Sequence, residues 1–306
     1  MKRLVVAKRK EENLQKERMK VGNIWHLVSE LHKFRITFSV TLTTLAGFTL
    51  TAGTIDSRII LPLIGIFLLS SGSAAFNEYQ ERDKDALMER TRKRPIPSGR
   101  IKPGTVLAIA LLEIIIGTFL VYAGGGFIAA LLGFTAFIWY NVIYTPLKKI
   151  SPFAVIPGSV IGAIPPMVGW VVGGGSLLVP EVFVLAFFFF MSQVPHFWLL
   201  MLRYGDDYSE AGFPVINKVL TYTQIKRVTF VWIVATSINI ALLVVVGLYQ
   251  TLFFKCVIIL SALWLVFVFS GLLKKSEEKF DSFRYFMRLN IILLVIIISM
   301  VIDPLL

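Results

Sequence analysis

The chain carries one cysteine, Cys256, and it sits in an apolar run. An internal disulfide and a thiolate metal site are both excluded by that count. Histidine is nearly as scarce. His26 and His32 precede the first apolar window, and only His196 falls inside one. Charged residues make up 16% of the chain against 56% hydrophobic ones, with a mean hydropathy of +0.75. That is too apolar for a water-soluble domain. The little charge present is lopsided: 19 Asp and Glu stand against 31 Lys and Arg, a net charge of +12. No nucleic-acid recognition module accompanies the bases, so they fit loops held on one side of a membrane, and no nucleic-acid partner is expected.

What the chain has in abundance is uncharged runs of about 20 residues, the length that crosses a hydrocarbon core of about 30 Å. Nine such windows lie near 35–54, 58–76, 104–122, 125–145, 152–173, 178–202, 228–249, 252–273 and 286–303. An all-α polytopic membrane protein with nine transmembrane helices is the expected fold, occupying residues 34–306 and embedded in the lipid bilayer. The loops alternate in character. Residues 77–103, 147–149 and 203–227 and the stretch "KKSEEKFDSFRYFMR" are rich in Lys and Arg, whereas "AGGGF" and "GGGSLLVPE" have none. The positive-inside rule then puts the N-terminus in the cytoplasm and the C-terminus outside. Residues 1–33 form a basic segment expected to lie on anionic headgroups. They read as neither a secretory signal nor a mitochondrial presequence, because the apolar stretch is too short and acids are present. Acidic segments end the second and sixth windows, and "PLKK" and "LLKK" end the fourth and eighth. Matching features four windows apart predict two pseudo-symmetric four-helix halves plus one helix.

Asn77, Glu81 and Asp85 are spaced i, i+4, i+8, so on a helix their oxygens share one face. Asp206 and Asp207 lie on the same predicted side of the membrane. Clustered carboxylates beside lipid repel one another and need a counter-charge. Mg²⁺ fits, since it takes hard oxygen ligands and completes its shell with phosphate. Arg90, Arg94, Lys148 and Lys149 are then candidates to grip the phosphate oxygens the metal leaves free. The competing reading is a solvated loop with surface ion pairs, which any one of these residues satisfies. Two acidic clusters on separate spans at one face satisfy it poorly.

The run "NEYQERDKDALMERTRKRPIPSGRI" from Asn77 resembles the Asn-x-x-x-Asp-x-x-x-Asp first motif of the UbiA superfamily of intramembrane prenyltransferases. Together with "YNVIYTPLKKISPFAVIPGSVIGAIPPMVGW" at 140–170 and "PHFWLLMLRYGDDYSEAGFPVI" at 195–216, it is similar to the haem-farnesylating branch. The resemblance implies a Mg²⁺-dependent transfer of farnesyl from farnesyl diphosphate to a vinyl group of haem B, giving haem O in a bacterial inner membrane, with the active site towards the cytoplasm. It implies a catalytic set of Asn77, Glu81, Asp85, Asp207 and His196, with Asp206 added among the metal ligands. Diphosphate would be held by Arg90, Arg94, Lys148, Lys149 and Arg203, and a haem A synthase or terminal oxidase would receive the product. Two departures stand out. Glu81 replaces the pattern's middle Asp, and Lys84 replaces an apolar residue, so Lys84 is expected to pair with an acid. The prolines and glycines of "VIPGSVIGAIPPMVGW" either line the cavity or serve helix packing. His196 either meets the acceptor or bonds a carbonyl freed by Pro195. Two further readings remain open: a UbiA-type enzyme with a phenolic, naphthoate or glycerophosphate acceptor, and a membrane transporter.

Overall fold

The computed structural model describes residues 25–274 and 281–306. Most of the basic segment expected over residues 1–33 lies outside the described residues, as do residues 275–280 of the last basic loop. The described chain is helical throughout. After a helical stretch over residues 25–31, the elements are α1 (Phe34–Ala52), α2 (Ile60–Asp85), α3 (Pro103–Ile138), α4 (Val160–Val172), α5 (Pro180–Glu210), α6 (Tyr222–Val245), α7 (Leu252–Phe269) and α8 (Ser282–Ile302). Seven helical runs among the described residues are long and apolar enough to cross a membrane. The chain is an integral, multi-pass membrane protein.

Two of the nine windows share one of those runs, Pro103–Leu147, which is 45 residues long. Straight, it would reach about 68 Å, over twice the hydrocarbon core. It breaks at Gly126, where φ is 77° and ψ −176°, a backbone state that glycine reaches without a Cβ clash. The break folds the run on itself. Gly72 of α2 abuts Ala110 and Ile114 before it, while Ser73 of α2 accepts a hydrogen bond from Asn141 beyond it. Residues 103–125 and 127–147 therefore pass the same level of α2 in opposite directions. Phe34–Ala52 is the window that falls short of the apolarity criterion. Its threonines bond back to carbonyls one turn earlier or to neighbouring helices, as Thr49 does to Met300 and Thr51 to Trp170, so its hydroxyls are satisfied inside the bundle.

The buried apolar residues form two main clusters. One joins α1, α2, both halves of α3, and α4, through residues such as Phe48, Leu69, Val121, Ala129 and Val168. The other joins α5 to α8 through Phe188, Ile240, Leu265 and Ile296, with Ala46 and Trp170 reaching in from the first group. The division between the clusters falls after the fifth apolar window. Outward-facing Leu, Ile and Phe along α3, α6 and α7, such as Ile115, Phe119, Val231 and Phe267, are exposed as a lipid-facing surface requires.

The glycines of α4 serve helix packing. Gly169 lies against the backbone of Thr44 and Phe48 on α1, and Gly47 of α1 lies against Pro166. Small residues at a crossing let two backbones approach closely in lipid, where apolar burial supplies little drive. A Cβ at Gly169 would sit 2.8 Å from the Phe48 nitrogen, too close without moving a helix. Gly169→Val should therefore cost about 2–3 kcal/mol, read as a lowered thermal midpoint in detergent. Gly104→Ala, where a Cβ meets nothing within 4 Å, should leave the midpoint unchanged.

Candidate active site

The last two turns of α2 carry an unusual load for a helix interior. Asn77 and Glu81 are each 3% exposed, Asp85 is 1% exposed, and Glu78 is fully buried. Ionised carboxylates that deep are tolerated only with counter-charges and hydrogen bonds, and other segments of the chain supply them. Arg94 Nη1 donates to Asp85 Oδ2 at 2.6 Å, and Lys148 Nζ lies 2.6 Å from the Glu81 carboxylate. Burial pulls on both cations, but the acid beside each outweighs it. Lys148 is held up at about 12, and Arg94 is raised by Asp85. Both stay charged.

The two cations come from different segments of the chain. Arg94 belongs to the connection between α2 and α3, which folds back over the helix end. The Thr91 hydroxyl donates to the Asp85 carbonyl, the Ile96 N–H donates to Glu78 Oε1, and Met88, Pro95 and Ile96 are buried. Lys148 follows the second half of α3, which ends in one widened π-helical turn, Trp139–Tyr144. Such a turn inserts an extra residue and often marks a functional site. Here it points Asn141 at Ser73 and Gln80 and brings Thr145 to Asn77. Asn77 Nδ2 donates to the Thr145 hydroxyl at 3.1 Å, which turns Asn77 Oδ1 toward the acid face, where Lys33 Nζ donates to it at 3.2 Å. Among the described residues no carboxylate forms an ion pair with Lys33. Burial, with Arg94 nearby, pulls it down to about 7.

The second acidic segment reaches the same place from α5. Asp207 accepts the backbone N–H groups of Glu89 and Arg90, both at 3.2 Å, so it clamps the connection that carries Arg94. One turn of the chain beyond, Lys84 donates to the Ala211 carbonyl at 2.6 Å. It bonds a carbonyl, where an acid partner was expected from sequence. Tyr208 lies between the two halves. Arg90 donates to its hydroxyl at 3.3 Å, and its ring lines a cavity of about 70 Å³ beside Lys148. Tyr144, Phe197, Met201 and Phe213 complete an aromatic and apolar wall.

Asn77, Glu81, Asp85, Arg94, Lys148, Asp207 and Arg90 thus meet at one end of the bundle. Four other sequence candidates lie apart from them. Asp206 is exposed and makes no hydrogen bond or ion pair among the described residues, and Lys149 is also exposed. Arg203 stacks on Phe283 of α8, with 4.4 Å from its guanidinium carbon to the ring centre. His196 packs against Phe286 of α8 at 4.7 Å, with Nδ1 buried and unpartnered, and does not line the cavity. Sequence reasoning missed Lys33, Thr145 and the role of Tyr208. The Asp-Asp-Tyr run held a clue to Tyr208; nothing set Lys33 apart from its many basic neighbours.

The donor set suits a hard divalent cation such as Mg²⁺. Among the described residues Asp85 Oδ1 is buried without a hydrogen bond, Glu81 faces only the Lys148 ammonium, and Asn77 presents an amide oxygen on the same face. Among the described residues no three carboxylates converge on one point, because Arg94, Lys148 and two backbone N–H groups each hold one of them.

The family model for the UbiA prenyltransferase family matches residues 40–292. The protoheme IX farnesyltransferase of Oleidesulfovibrio alaskensis is 31% identical over 277 residues, 90% of this chain and 96% of its own length. That of Geobacter sulfurreducens is 40% identical over 204 residues, 66% of this chain and 75% of its own. Two solved structures share the fold. A digeranylgeranylglyceryl phosphate synthase superposes with a TM-score of 0.76 at 15% identity, over 92% of this chain and 98% of its own. A UbiA homolog from Archaeoglobus fulgidus bound to GPP and Mg²⁺ gives 0.72 at 13% identity, over 91% and 99%. With buried acids and bases gathered at one end of a helical membrane bundle, and a match running from α1 into α8, the chain belongs to the UbiA prenyltransferase family.

Proposed function

We propose that the chain transfers a farnesyl group from farnesyl diphosphate to a vinyl group of haem B, giving haem O and diphosphate. The observation that carries this reading is the convergence of two acidic segments. Asp207 of α5 grips the backbone of the connection whose Arg94 pairs with Asp85 of α2. Relatives named protoheme IX farnesyltransferase at 31% and 40% identity support the choice of acceptor and prenyl donor. Membership of a prenyltransferase family leaves the transporter reading without support, and no feature of the site favours a phenolic, naphthoate or glycerophosphate acceptor.

The chemistry follows from charge placement. Breaking the allylic C–O bond leaves its electron pair on the diphosphate, so cations already in place lower that barrier. Arg94, Lys148, Lys33 and Arg90 are positioned to take its oxygens. Arg94 and Lys148 would exchange their carboxylate partners for phosphate as the substrate arrives. Asn77, Glu81, Asp85 and Asp207 would hold Mg²⁺, which would supply positive charge to offset that of the leaving diphosphate. The allylic cation must meet the vinyl group before water does, and the wall of Tyr144, Phe197 and Phe213 keeps bulk water from that side. A new C–C bond forms, and water captures the resulting cation as the side-chain hydroxyl with loss of a proton. His196, at the α5–α8 contact, is assigned to the acceptor side.

All these residues lie at the end of the bundle bearing the basic connections, which the positive-inside rule assigns to the cytoplasm. We place the protein in a bacterial inner membrane on that basis, with nine spans, the N-terminus inside and the C-terminus outside. A haem A synthase or terminal oxidase would receive the product.

Mass spectrometry of haem extracted from cells expressing the chain should reveal the farnesylated species; its absence, with unmodified haem B alone, would sink the acceptor assignment. In purified membranes, Asp85→Asn and Asp207→Ala should each cut farnesyl diphosphate consumption by about a hundredfold or more. Chelation should abolish it in the parent, and added Mg²⁺ should restore it. His196→Ala should lower haem O yield by about tenfold or more, with farnesyl diphosphate binding unchanged in a filter assay.

A further inference from the structure

Among the described residues, Lys33 alone takes a positive φ without being glycine, at φ 47° and ψ 50°. A left-handed backbone is disfavoured for any residue with a Cβ, so its surroundings must hold it there. They do so on several sides. Leu31 is buried among Ala75, Ile96, Val106 and Ala110. The Thr37 hydroxyl donates to the His32 carbonyl at 2.8 Å. Glu30 meets Arg100 of the α2–α3 connection at 2.6 Å.

The deepest anchor is His32. Its Nδ1 lies 2.9 Å from the Val28 carbonyl, so that nitrogen carries a proton. Its Nε2 lies 3.0 Å from Glu113 Oε1, with the two side chains only 8% and 18% exposed. The carboxylate sits off the N–H axis, so the contact is no aligned hydrogen bond, and it becomes an ion pair when both ring nitrogens carry protons. Glu113 is an acid within the first half of α3 that the proposed chemistry does not use. Its cost is explained if it holds His32, and through His32 the turn that ends in Lys33.

We infer that His32 and Glu113 are positioning residues for prenyl diphosphate: they fix the strap Glu30–Lys33 so that the Lys33 ammonium enters the site beside Asn77. Neither residue touches the reacting groups. Their effect passes through the left-handed turn at Lys33, which lies just before α1 and places Nζ at Asn77 Oδ1. The inference rests on the diphosphate site proposed above.

The test is steady-state kinetics of the full chain in nanodiscs, with farnesyl diphosphate varied at saturating haem B. Glu113→Gln, His32→Gln and Lys33→Ala should each raise KM for farnesyl diphosphate about fivefold to tenfold, with the KM for haem B within about twofold of the parent. The double variant Glu113→Gln/Lys33→Ala should be no worse than Lys33→Ala alone, since both act on one group. Additive losses, or a fall in kcat at unchanged KM, would mean that the pair merely stabilises the fold and would overturn the inference. Asp85→Asn separates this inference from the reading beneath it. If it abolishes turnover while the His32 and Glu113 variants leave KM unmoved, only the strap fails. If it too leaves turnover intact, the diphosphate site itself is wrong.

Discussion

The pairing of Asp85 with Arg94 and of Glu81 with Lys148 is the constraint on which the site end of the molecule depends. Four polar side chains buried in the last turns of a membrane helix cannot stand alone, since removing one partner of a buried pair costs about 3–5 kcal/mol. The chain must bring cations to α2 from elsewhere, and doing so dictates where two other segments go. The α2–α3 connection has to fold back to deliver Arg94. The second half of α3 has to end at the same height to deliver Lys148, which it reaches through the break at Gly126 and the widened turn at Trp139–Tyr144. Asp207 then pins the first of these segments to α5. One charge requirement thereby links three parts of the chain.

Stability alone does not explain why such pairs persist. A buried ion pair is often no better than apolar residues of the same volume. Here Asp85 retains an oxygen without a hydrogen bond, Oδ1, while Arg94 holds the other at 2.6 Å, and the Lys148 ammonium sits 2.6 Å from both Glu81 oxygens. An apolar replacement would pack as well and could bind nothing. The arrangement makes sense as a binding site that neutralises itself internally, with each of its charges available for re-pairing to a ligand of matching sign.

The membrane-spanning architecture was legible because apolar windows and basic loops follow directly from the cost of exposing polar backbone and charge to lipid. Choosing among neighbouring charged residues was not. Adjacent positions on a helix point about 100° apart, so only one of Asp206 and Asp207 faces the bundle, and spacing alone does not say which. Lys148 and Lys149 pose the same problem at the end of a π-helical turn, whose register no propensity announces. Arg203 is one turn from Asp207 and should share its face, but Tyr204 leaves helical geometry at φ −111° and ψ 18°, and Arg203 turns to Phe283 instead. Lys33 was invisible for another reason. It lies in a left-handed turn, and its neighbour His32 meets the distant Glu113; neither feature has a local signature. The i, i+4, i+8 series of Asn77, Glu81 and Asp85 was readable because one regular helix carries all three.

The size of the cavity adds a final step. About 70 Å³ is open beside Lys148, far below the roughly 300–1,000 Å³ of ordinary small-molecule sites. An isoprenoid chain cannot enter that space without moving its walls. The movable walls are the side chains already named: the Tyr144, Phe197 and Phe213 rings, and the Lys148 stem held by Glu81. On the proposed reading, substrate binding and release of the internal ion pairs are one event. Whatever free energy the closed, self-paired state gains is subtracted from the affinity for prenyl diphosphate. Lys148 lines this cavity and also pairs with Glu81, so the electrostatic site and the cavity wall share a residue.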